Sequence, residues 1–235
     1  MSRRPEIQSA YTDIVIANTS VPNLAEHLIP SLKDSKYAKE VDSQALPCSL
    51  ISIYIALQDH NFENKYYSTF VFDKSLKKLK NFSEIERSTD YSKKGFVYVD
   101  YSIIGEPLIG TICAIDYLKN WEGLTKDEYK QKKKELTELF IDRLDKEMQG
   151  IKKNIVYSEM ATPKTIVKYT RNKNGVVYGF AETPDMLGKK RLEKATPPID
   201  NLFIASAWGN TGGGYSGAML TGYKTAKMLL KKNII

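Results

Sequence analysis

The feature that most constrains this chain is a glycine-rich stretch, NLFIASAWGNTGGGYSGAMLTG, at positions 201–222. An apolar run typical of a buried strand leads into a segment with six glycines, and a helix-like segment follows. Gly212, Gly214 and Gly217 form a G-x-G-x-x-G pattern. Glycines allow positive φ angles and close backbone approach, while the free N–H groups of a helix start attract negative charge. The stretch predicts either an anion-binding loop or a glycine-rich turn that packs tightly against its own helix without a ligand.

Two common phosphate-binding motifs do not account for this stretch. A Rossmann βαβ unit needs a second strand and an acidic residue about 20 positions further on. The last acidic residue is Asp200, and the sequence reaches Ile235 without another strand signal. A Walker loop needs Gly-Lys-Ser/Thr, which does not follow. The pattern by itself is therefore a weak fingerprint, although the lack of acids after Asp200 leaves nothing in this tail to repel a phosphate.

Charge and hydropathy patterns argue against several other functional classes. The chain of 235 residues has a formal net charge of +7. Lysines alternate with acids over 126–147, as they do on a solvated helix face, so we expect no nucleic-acid binding. No apolar run is long enough to cross a bilayer, and the N-terminal segment lacks a secretory h-region. Cys48 and Cys113 are far apart in sequence, which predicts reduced, structural cysteines in a cytoplasmic protein.

Short β-branched runs separated by turns predict a sheet in the first half of the chain. Strands are expected within 48–58, 66–73, 93–104 and 110–117, and the second is expected to pair with the first. Their spacing favours an antiparallel or mixed sheet. An earlier strand, at 13–17, is followed by one or two helical turns.

The clearest helix signal covers 126–149. Thr125 and Glu128 form a capping box before it, and Gly150 suits its C-terminal end. Apolar residues recur along it at helical spacing and predict one stripe that faces the core. The members of this stripe are Leu136, Leu139, Phe140, Leu144 and Met148.

The C-terminal third of the sequence alternates strand signals with proline breaks. Residues 154–161 are typical of a strand that is broken at Pro163, and 172–184 of a turn with a short strand. A buried strand is predicted at 202–205 and a final helix at 216–230. One face of this helix carries small residues that permit close packing on a sheet or a flat cofactor. These residues are Gly217, Thr221, Gly222 and Thr225.

Three segments resemble a known enzyme family. PIDNLFIASAWGNTGGGYSGAMLTG, at 198–222, resembles the C-terminal flavin-binding motif of the phytoene desaturase, carotenoid isomerase and retinol saturase group of FAD-dependent oxidoreductases. EMATPKTIVKYTRNKNGVVYGFAETP, at 159–184, is similar to the Thr-Pro, Tyr-Thr and Gly-x-x-Tyr-Gly series of that family. YTDIVIANTSVPNLAEHLIP, at 11–30, is similar to the segment where the family's chain leaves the flavin domain. Residues 31–150 are only generally compatible with the family.

This resemblance implies a fold and a missing part. Such enzymes begin with a βαβ unit whose glycine loop holds the FAD pyrophosphate, whereas the first glycine here is Gly95. The N-terminal half is therefore expected to be absent, as in a truncated or split gene product or a chain cut for study, and a separate chain that carries this half is a candidate partner. The implied class is α+β with α/β elements at the ends. Residues 1–30 would be a returning strand of the FAD-binding domain, 31–194 a mixed-sheet substrate-binding domain, and 195–235 the closing strand, glycine loop and helix of the Rossmann-like FAD-binding domain.

The resemblance also implies where FAD binds. Many relatives carry an acidic residue in the turn, but this chain has Ala207 and Trp208 there, which puts one polar contact to the ribitol or pyrophosphate in doubt. Backbone N–H groups of Gly213 and Gly214 remain available for that role. FAD is expected to bind weakly or not at all to this chain alone. The expected cofactor-binding residues are Asn18, Ala207, Trp208, Gly209, Gly212, Gly213, Gly214, Tyr215, Ser216 and Gly217.

In the implied reaction, the flavin transfers a hydride or an electron to or from a polyene or a similar lipophilic substrate. The sequence suggests no catalytic constellation and no metal site. His27 and His60 look isolated, and each of Tyr169, Tyr178 and Tyr215 is a candidate to line a pocket.

An alternative reading is a catalytically inactive remnant that binds a protein partner or a membrane surface. The lipophilic substrates of the family also leave open a peripheral contact at the inner face of a membrane, by analogy alone.

Overall fold

The computed structural model divides the chain into two compact units, which are described separately. The terminal unit comprises Met1–Leu46 and Tyr178–Ile235, and the central unit comprises Pro47–Val177. The three-segment division expected from the family resemblance stays a prediction. The residues that the structure describes are 11–60, 62, 64–73, 86–105, 107–184, 196–209, 212–232 and 234.

The secondary structure within these residues combines strands and helices, which confirms the α+β class. The strands are β1 (Val15–Ala17), β2 (Ser49–Leu57), β3 (Ser68–Val71), β4 (Phe96–Asp100), β5 (Ile109–Asp116), β6 (Ile155–Ala161) and β7 (Leu202–Ile204). The α-helices are α1 (Val21–Asn23), α2 (Lys36–Asp42), α3 (Lys126–Glu147), α4 (Ile151–Asn154), α5 (Pro163–Thr170) and α6 (Gly214–Lys231). Shorter 3-10 or π turns occupy Leu24–Leu28, Pro30–Leu32, Tyr101–Ile104, Leu118–Trp121 and Lys173–Gly175.

The central unit contains a five-stranded antiparallel sheet in the order β3-β4-β5-β2-β6. The antiparallel or mixed sheet expected from the sequence is confirmed, but the expected pairing of β2 with β3 is wrong. β3 pairs with β4, while β2 lies between β5 and β6. β2 is long and apolar, so a central position with a neighbouring strand on each side suits it. β3 is short and mostly exposed, which suits the edge of the sheet.

One face of this sheet and the helix α3 form the core of the central unit. Alternate residues of β2, namely Ile51, Ile53 and Ile55, are buried there. The predicted helix and its capping box are confirmed: the Thr125 backbone N–H donates to Glu128 Oε2 over 2.8 Å, and the Glu128 N–H donates to Thr125 Oγ1 over 3.3 Å. The predicted stripe is confirmed as well. Leu136, Phe140, Leu144 and Met148 are buried, and Leu139 is partly buried against them.

One local expectation is confirmed in the second half of the chain, and two differ from the structure. The strand expected at 154–161 forms β6 and ends before Pro163, where α5 begins with Pro163 at the first helical position and Thr162 as N-cap. Proline suits that position because its missing N–H is not needed there. The strand expected within 172–184 is not found in the described residues, where Lys173–Gly175 is a 3-10 turn. The strand expected at 93–104 ends at Asp100, whose carboxylate accepts a hydrogen bond from the Ser102 N–H and starts a turn.

A buried polar cluster fixes the end of β5. The carboxylate of Asp116 accepts hydrogen bonds from Trp121 Nε1 and Asn120 Nδ2, each over 2.6 Å, and from the Tyr91 hydroxyl over 3.1 Å. The Lys94 ammonium lies 3.7 Å from the same carboxylate, and its side chain is only 2% exposed. Lys94 also donates to the carbonyl oxygens of Glu86 and Ile115. Burial lowers the pKa of Lys94, and the attraction of Asp116 opposes that shift.

The Asp116→Asn variant tests how much this cluster contributes to stability. The amide keeps the shape of the carboxylate but leaves the buried Lys94 without its counter-charge. We expect the free energy of unfolding to fall by about 3 kcal/mol or more. Urea denaturation followed by circular dichroism measures this change. Asp142→Asn, which removes a surface ion pair with Lys152, is the matched control and should change stability by less than about 0.5 kcal/mol. If both substitutions lowered the free energy of unfolding by the same small amount, the cluster would not contribute substantially to stability.

Candidate functional site

The terminal unit contains a parallel strand pair that leads into the predicted cofactor-binding residues. β1 pairs with β7 in the register Val15↔Leu202 to Ala17↔Ile204. Both strands of a parallel pair end at the same edge. At that edge, β1 is followed by Asn18 and β7 by the turn that precedes the glycine loop. The ladder continues one step further, because the N–H of Ala205 donates to the Ala17 carbonyl over 3.0 Å.

The turn after β7 is held by Ser206 and Trp208. Ser206 Oγ donates to the carbonyl of Thr19 over 2.9 Å and accepts from the Trp208 N–H over 3.3 Å. The buried Trp208 indole stands edge-on to Phe180, with ring centroids 4.9 Å apart. An acidic residue was expected in this turn in relatives. This chain has Ala207 and Trp208 there, and the Trp208 indole holds the turn by packing against Phe180. No sequence periodicity links Phe180 with Trp208, so sequence reasoning missed this contact.

The glycines of the loop have clear structural roles. Gly212 and Gly214 have φ angles of +90° and +72°, which favour glycine. Gly213 is extended, but a Cβ on it would lie 1.8 Å from the carbonyl oxygen of Tyr178. A Cβ on Gly209 would lie 2.5 Å from Thr221 Cγ2. Backbone conformation and packing therefore require glycine at several of these positions. This supports one of the two alternatives predicted from the sequence, a glycine-rich turn that packs tightly against its own helix.

The start of α6 has the properties of an anion-binding helix terminus. Its N-cap residue, Gly213, makes no side-chain cap hydrogen bond, and its first turn contains no acidic residue. Tyr215 and Ser216 are exposed at this end. The partial positive charge of a helix start favours an anion at such a place. The residues present are therefore compatible with a phosphate group as well as with the tight turn.

Behind this terminus, the small-residue face of α6 packs against β7. Gly217 and Thr221 are buried, and Thr221 Oγ1 donates to the Gly217 carbonyl over 2.8 Å. Thr225 Oγ1 donates to the Ile204 carbonyl over 3.0 Å and so joins helix and strand directly. The expected close packing is confirmed for Gly217, Thr221 and Thr225 but not for Gly222, where an added Cβ would meet nothing within 4 Å. The helix has the bounds Gly214–Lys231 instead of 216–230.

A second feature lies in the central unit, on the sheet face opposite α3. The residues of β2 that alternate with the buried isoleucines point to this face, which carries apolar and aromatic side chains together with Ser52, Thr111 and Glu159. Tyr54 and Tyr157 are 52% and 59% exposed there, and Ile109 and Phe70 are exposed as well. An open cavity of about 410 Å³ lies on this face. Its lining consists of Tyr54, Ile55, Ala56, Tyr101, Ile109, Gly110, Thr111 and Tyr157.

The tyrosines that line this cavity are not those singled out from the sequence. Tyr169 and Tyr215 are largely exposed, and Tyr178 is exposed beside the glycine loop. Tyr54 was missed, although the strict alternation around it in β2 was a signal that it faces away from the core.

His60 is not isolated, contrary to the expectation from sequence. Its Nε2 lies 3.0 Å from Asp100 Oδ2, which also accepts from Asn64 Nδ2 over 2.7 Å. The other carboxylate oxygen of Asp100 accepts from Ser102 Oγ over 2.6 Å. Burial raises the pKa of Asp100, but the hydrogen bonds from Ser102, Asn64 and His60 outweigh it, so the pKa lies below its ordinary value. This cluster anchors the chain after β2 to the end of β4.

Other site types receive no support within the described part of the chain. His27 is exposed and lies 3.6 Å from a Glu26 carboxylate oxygen. No group of three or more His, Cys, Asp or Glu side chains is placed to bind a metal among the described residues. Over the same residues, no helix combines the length and apolar character that crossing a membrane requires.

Comparison with known proteins gives distant relatives whose names refer to carotenoids. No family model matches the sequence. The chain is 27% identical over 124 residues to 4,4'-diaponeurosporene oxygenase of Staphylococcus aureus (strain MW2), a match that covers 52% of this chain and 24% of the relative. It is 38% identical over 63 residues to prolycopene isomerase 2 of an Oncidium hybrid cultivar, covering 26% of this chain and 11% of the relative. Prolycopene isomerase of Daucus carota is 30% identical over 87 residues, which are 37% of this chain and 14% of the relative.

These similarities support the resemblance to carotenoid-modifying enzymes that the sequence motifs indicated. The matched stretches span between 11% and 24% of the length of these relatives. The chain is thus similar to a part of each, and the assignment of individual cofactor-binding residues stays a prediction.

The Gly213→Ala variant tests the role of the loop in packing. The added Cβ would meet a backbone carbonyl, which cannot move aside as a flexible side chain can. We expect a loss of about 2 to 3 kcal/mol in unfolding free energy. Chemical denaturation followed by tryptophan fluorescence measures it, since Trp208 lies in the same unit. Gly222→Ala is the control: its Cβ meets nothing within 4 Å, and alanine in α6 should stabilise by up to about 1 kcal/mol. A neutral Gly213→Ala would contradict the packing role.

Proposed function

We propose that this chain forms part of an FAD-dependent oxidoreductase that acts on a polyene or a similar lipophilic substrate. One observation carries the proposal: a glycine loop follows the carboxyl ends of the paired strands β1 and β7 and leads into the helix α6, whose N-cap is Gly213. The motif resemblance of 198–222 and the carotenoid names of the distant relatives support the same reading. When bound, FAD would supply the hydride or electron transfer.

The residues of the loop would bind the phosphate part of the cofactor. The N–H groups at Gly213, Gly214 and Tyr215 stand at the positive end of the α6 dipole. No acidic residue follows Asp200 to oppose an anion. The close packing of Gly213 on Tyr178 would keep these groups in place, so that little ordering is required on binding.

The terminal unit also has properties expected of an incomplete sheet. Parallel sheets are usually buried on both faces and contain more than two strands. Among the described residues, β1 and β7 form a two-stranded sheet, and Val15 and Ile16 of β1 are 44% and 50% exposed. We propose that a dinucleotide-binding βαβ unit adds its strands to this pair and makes the first contacts with FAD.

The outer sheet face of the central unit would bind the substrate. An antiparallel sheet with one face in water usually carries polar side chains on that face. The face with Tyr54, Tyr157, Ile109 and Phe70 instead exposes several apolar and aromatic side chains, with Glu159 of β6 as a charged neighbour. A cavity of about 410 Å³ on this face suits part of an extended apolar molecule.

Cofactor binding can be tested by complementation. The isolated chain should bind FAD weakly or not at all. Co-expression with the N-terminal dinucleotide-binding half of 4,4'-diaponeurosporene oxygenase should yield a yellow complex that shows flavin absorbance and co-elutes on gel filtration. The oxygenase half alone is the control, because it shows how much flavin absorbance arises without this chain. A folded, co-eluting pair that stays colourless with added FAD would contradict the flavin proposal and favour the alternative of an inactive binding module.

Substrate binding can be tested with a fluorescent polyene. We expect all-trans-retinol to bind the full chain, and the Tyr54→Lys and Tyr157→Lys variants to bind it at least about tenfold more weakly, because each brings a charge into an apolar cavity. Retinol fluorescence titration gives the affinities. Tyr169→Lys is the matched control, since Tyr169 is exposed on α5 outside this cavity. Equal affinities for the wild type and the two sheet variants would place the ligand elsewhere.

A further inference from the structure

The two edges of the five-stranded sheet in the central unit differ in chemistry. β6 forms one edge; its Glu159 pairs with Lys133 of α3 over 2.8 Å, and its ladder with β2 has a register shift beside Leu57. Charged side chains and bulges are common features that keep an edge strand from pairing with another chain. β3 forms the other edge and has neither feature. Residues 66–72 contain no charged residue and no proline, and β3 pairs with β4 in continuous register.

The outer side of β3 presents backbone groups that a further strand can bind. In an antiparallel ladder, alternate residues direct their N–H and C=O groups toward the neighbouring strand. The Asp100 N–H donates to the Tyr67 carbonyl over 2.9 Å, so Tyr67 and Thr69 direct their groups toward β4. The N–H and C=O groups of Ser68 and Phe70 therefore point away from β4. No other strand of the described residues lies on that side.

The side chains along this edge are aromatic and exposed. Tyr66, Phe70 and Phe72 are 70%, 65% and 50% exposed, and the rings of Phe70 and Phe72 are nearly parallel with centroids 6.2 Å apart. The Phe72 ring lies against the backbone of Gly95, where a Cβ would come within 2.8 Å. Two copies of this row expose about 700 Å² of aromatic surface, against a total of about 1,000 Å² for a specific interface that also includes backbone atoms.

The sequence of this edge is complementary to itself. In KYYSTFVFD, at 65–73, the lysine begins the segment, the aspartate ends it, and Thr69 is its centre. An antiparallel pair of two such segments about Thr69 places small, aromatic and charged residues opposite suitable partners, and each match occurs twice because the pair has a two-fold axis. The matches between the first and the second copy are Ser68 with Phe70, Tyr66 with Phe72, and Lys65 with Asp73.

We propose that β3 pairs with β3 of a second copy of this chain, antiparallel about Thr69, so that the two sheets become one continuous sheet. Ser68 and Phe70 exchange backbone hydrogen bonds with the second copy, and the aromatic rings pack across the axis. Lys65 and Asp73 form an ion pair at each end, so the paired segments carry no net charge. A second copy supplies every one of these complements, which favours it over an unrelated protein.

This inference does not rest on the proposed function. It depends on an edge of the central unit, whereas the flavin proposal depends on the glycine loop of the terminal unit. A chain that binds no flavin would still dimerise through β3, and a monomeric chain would leave the flavin proposal intact.

Sedimentation velocity of the full chain over a concentration series tests the proposal. We expect a reversible monomer–dimer equilibrium. Ser68→Pro should raise the dimer dissociation constant at least about tenfold, because proline removes an outward N–H and leaves a facing carbonyl unpaired. The ladder with β4 does not use this N–H, so the fold should persist, which circular dichroism checks. Ser68→Ala is the matched control and should leave the dissociation constant nearly unchanged.

A charge exchange tests the pairing of the two ends. Lys65→Asp should raise the dissociation constant about tenfold, because each ion pair becomes a pair of carboxylates. Adding Asp73→Lys to this variant should restore the wild-type value, since the opposite charges then face each other again. A role of Lys65 within its own copy would not predict this rescue. Failure of the rescue in a folded double variant would overturn the antiparallel pairing about Thr69.

A lysine on each edge of the sheet distinguishes β3 from β6. Phe70→Lys should disperse the dimer, because it brings two ammonium groups together near the axis. Val156→Lys changes an apolar residue of similar exposure on β6 and should leave the dimer intact. A chain that stays monomeric at every concentration would overturn the proposal. So would a dimer that neither Ser68→Pro nor Phe70→Lys weakens, or one that Val156→Lys weakens equally.

Discussion

The terminal unit depends on two backbone segments that approach each other without side chains between them. Gly179 lies against the carbonyl of Ala207, where a Cβ would come within 2.3 Å, and Gly213 lies against the carbonyl of Tyr178. Beside these contacts, Trp208 packs on Phe180. The turn after β7, the glycine loop and the start of α6 are thereby held in one conformation. A loop fixed in this way by its own chain needs little further ordering to bind an anion.

The two units differ in the size of the sheet that their described residues form. The central unit has a five-stranded sheet, a helix that covers one face, and a buried Asp116–Lys94 cluster that fixes a strand end. The described residues of the terminal unit form two parallel strands, and apolar side chains of β1 are exposed. The first arrangement is typical of a unit with its own core, and the second of a sheet that gains from further strands.

The two proposed sites of the protein differ in chemistry, and the difference separates their proposed roles. The outer sheet face of the central unit has an open cavity lined largely by tyrosine and aliphatic side chains, which suits a lipophilic small molecule. The glycine loop is neither apolar nor acidic, and its N–H groups suit a phosphate. The proposed lipophilic substrate and nucleotide cofactor are compatible with one another in a single enzyme.

The sequence by itself determined the features that depend on neighbouring residues. The capping box at Thr125, the apolar stripe of α3 and the strand, glycine turn and helix order near the C-terminus all follow from local periodicity and turn chemistry. The tertiary structure alone decided which strands pair, because register and neighbours depend on burial across the whole sheet. It also paired His60 with Asp100 and Trp208 with Phe180. Contacts between residues this far apart in sequence leave no periodic signal, since they form only once the chain has folded.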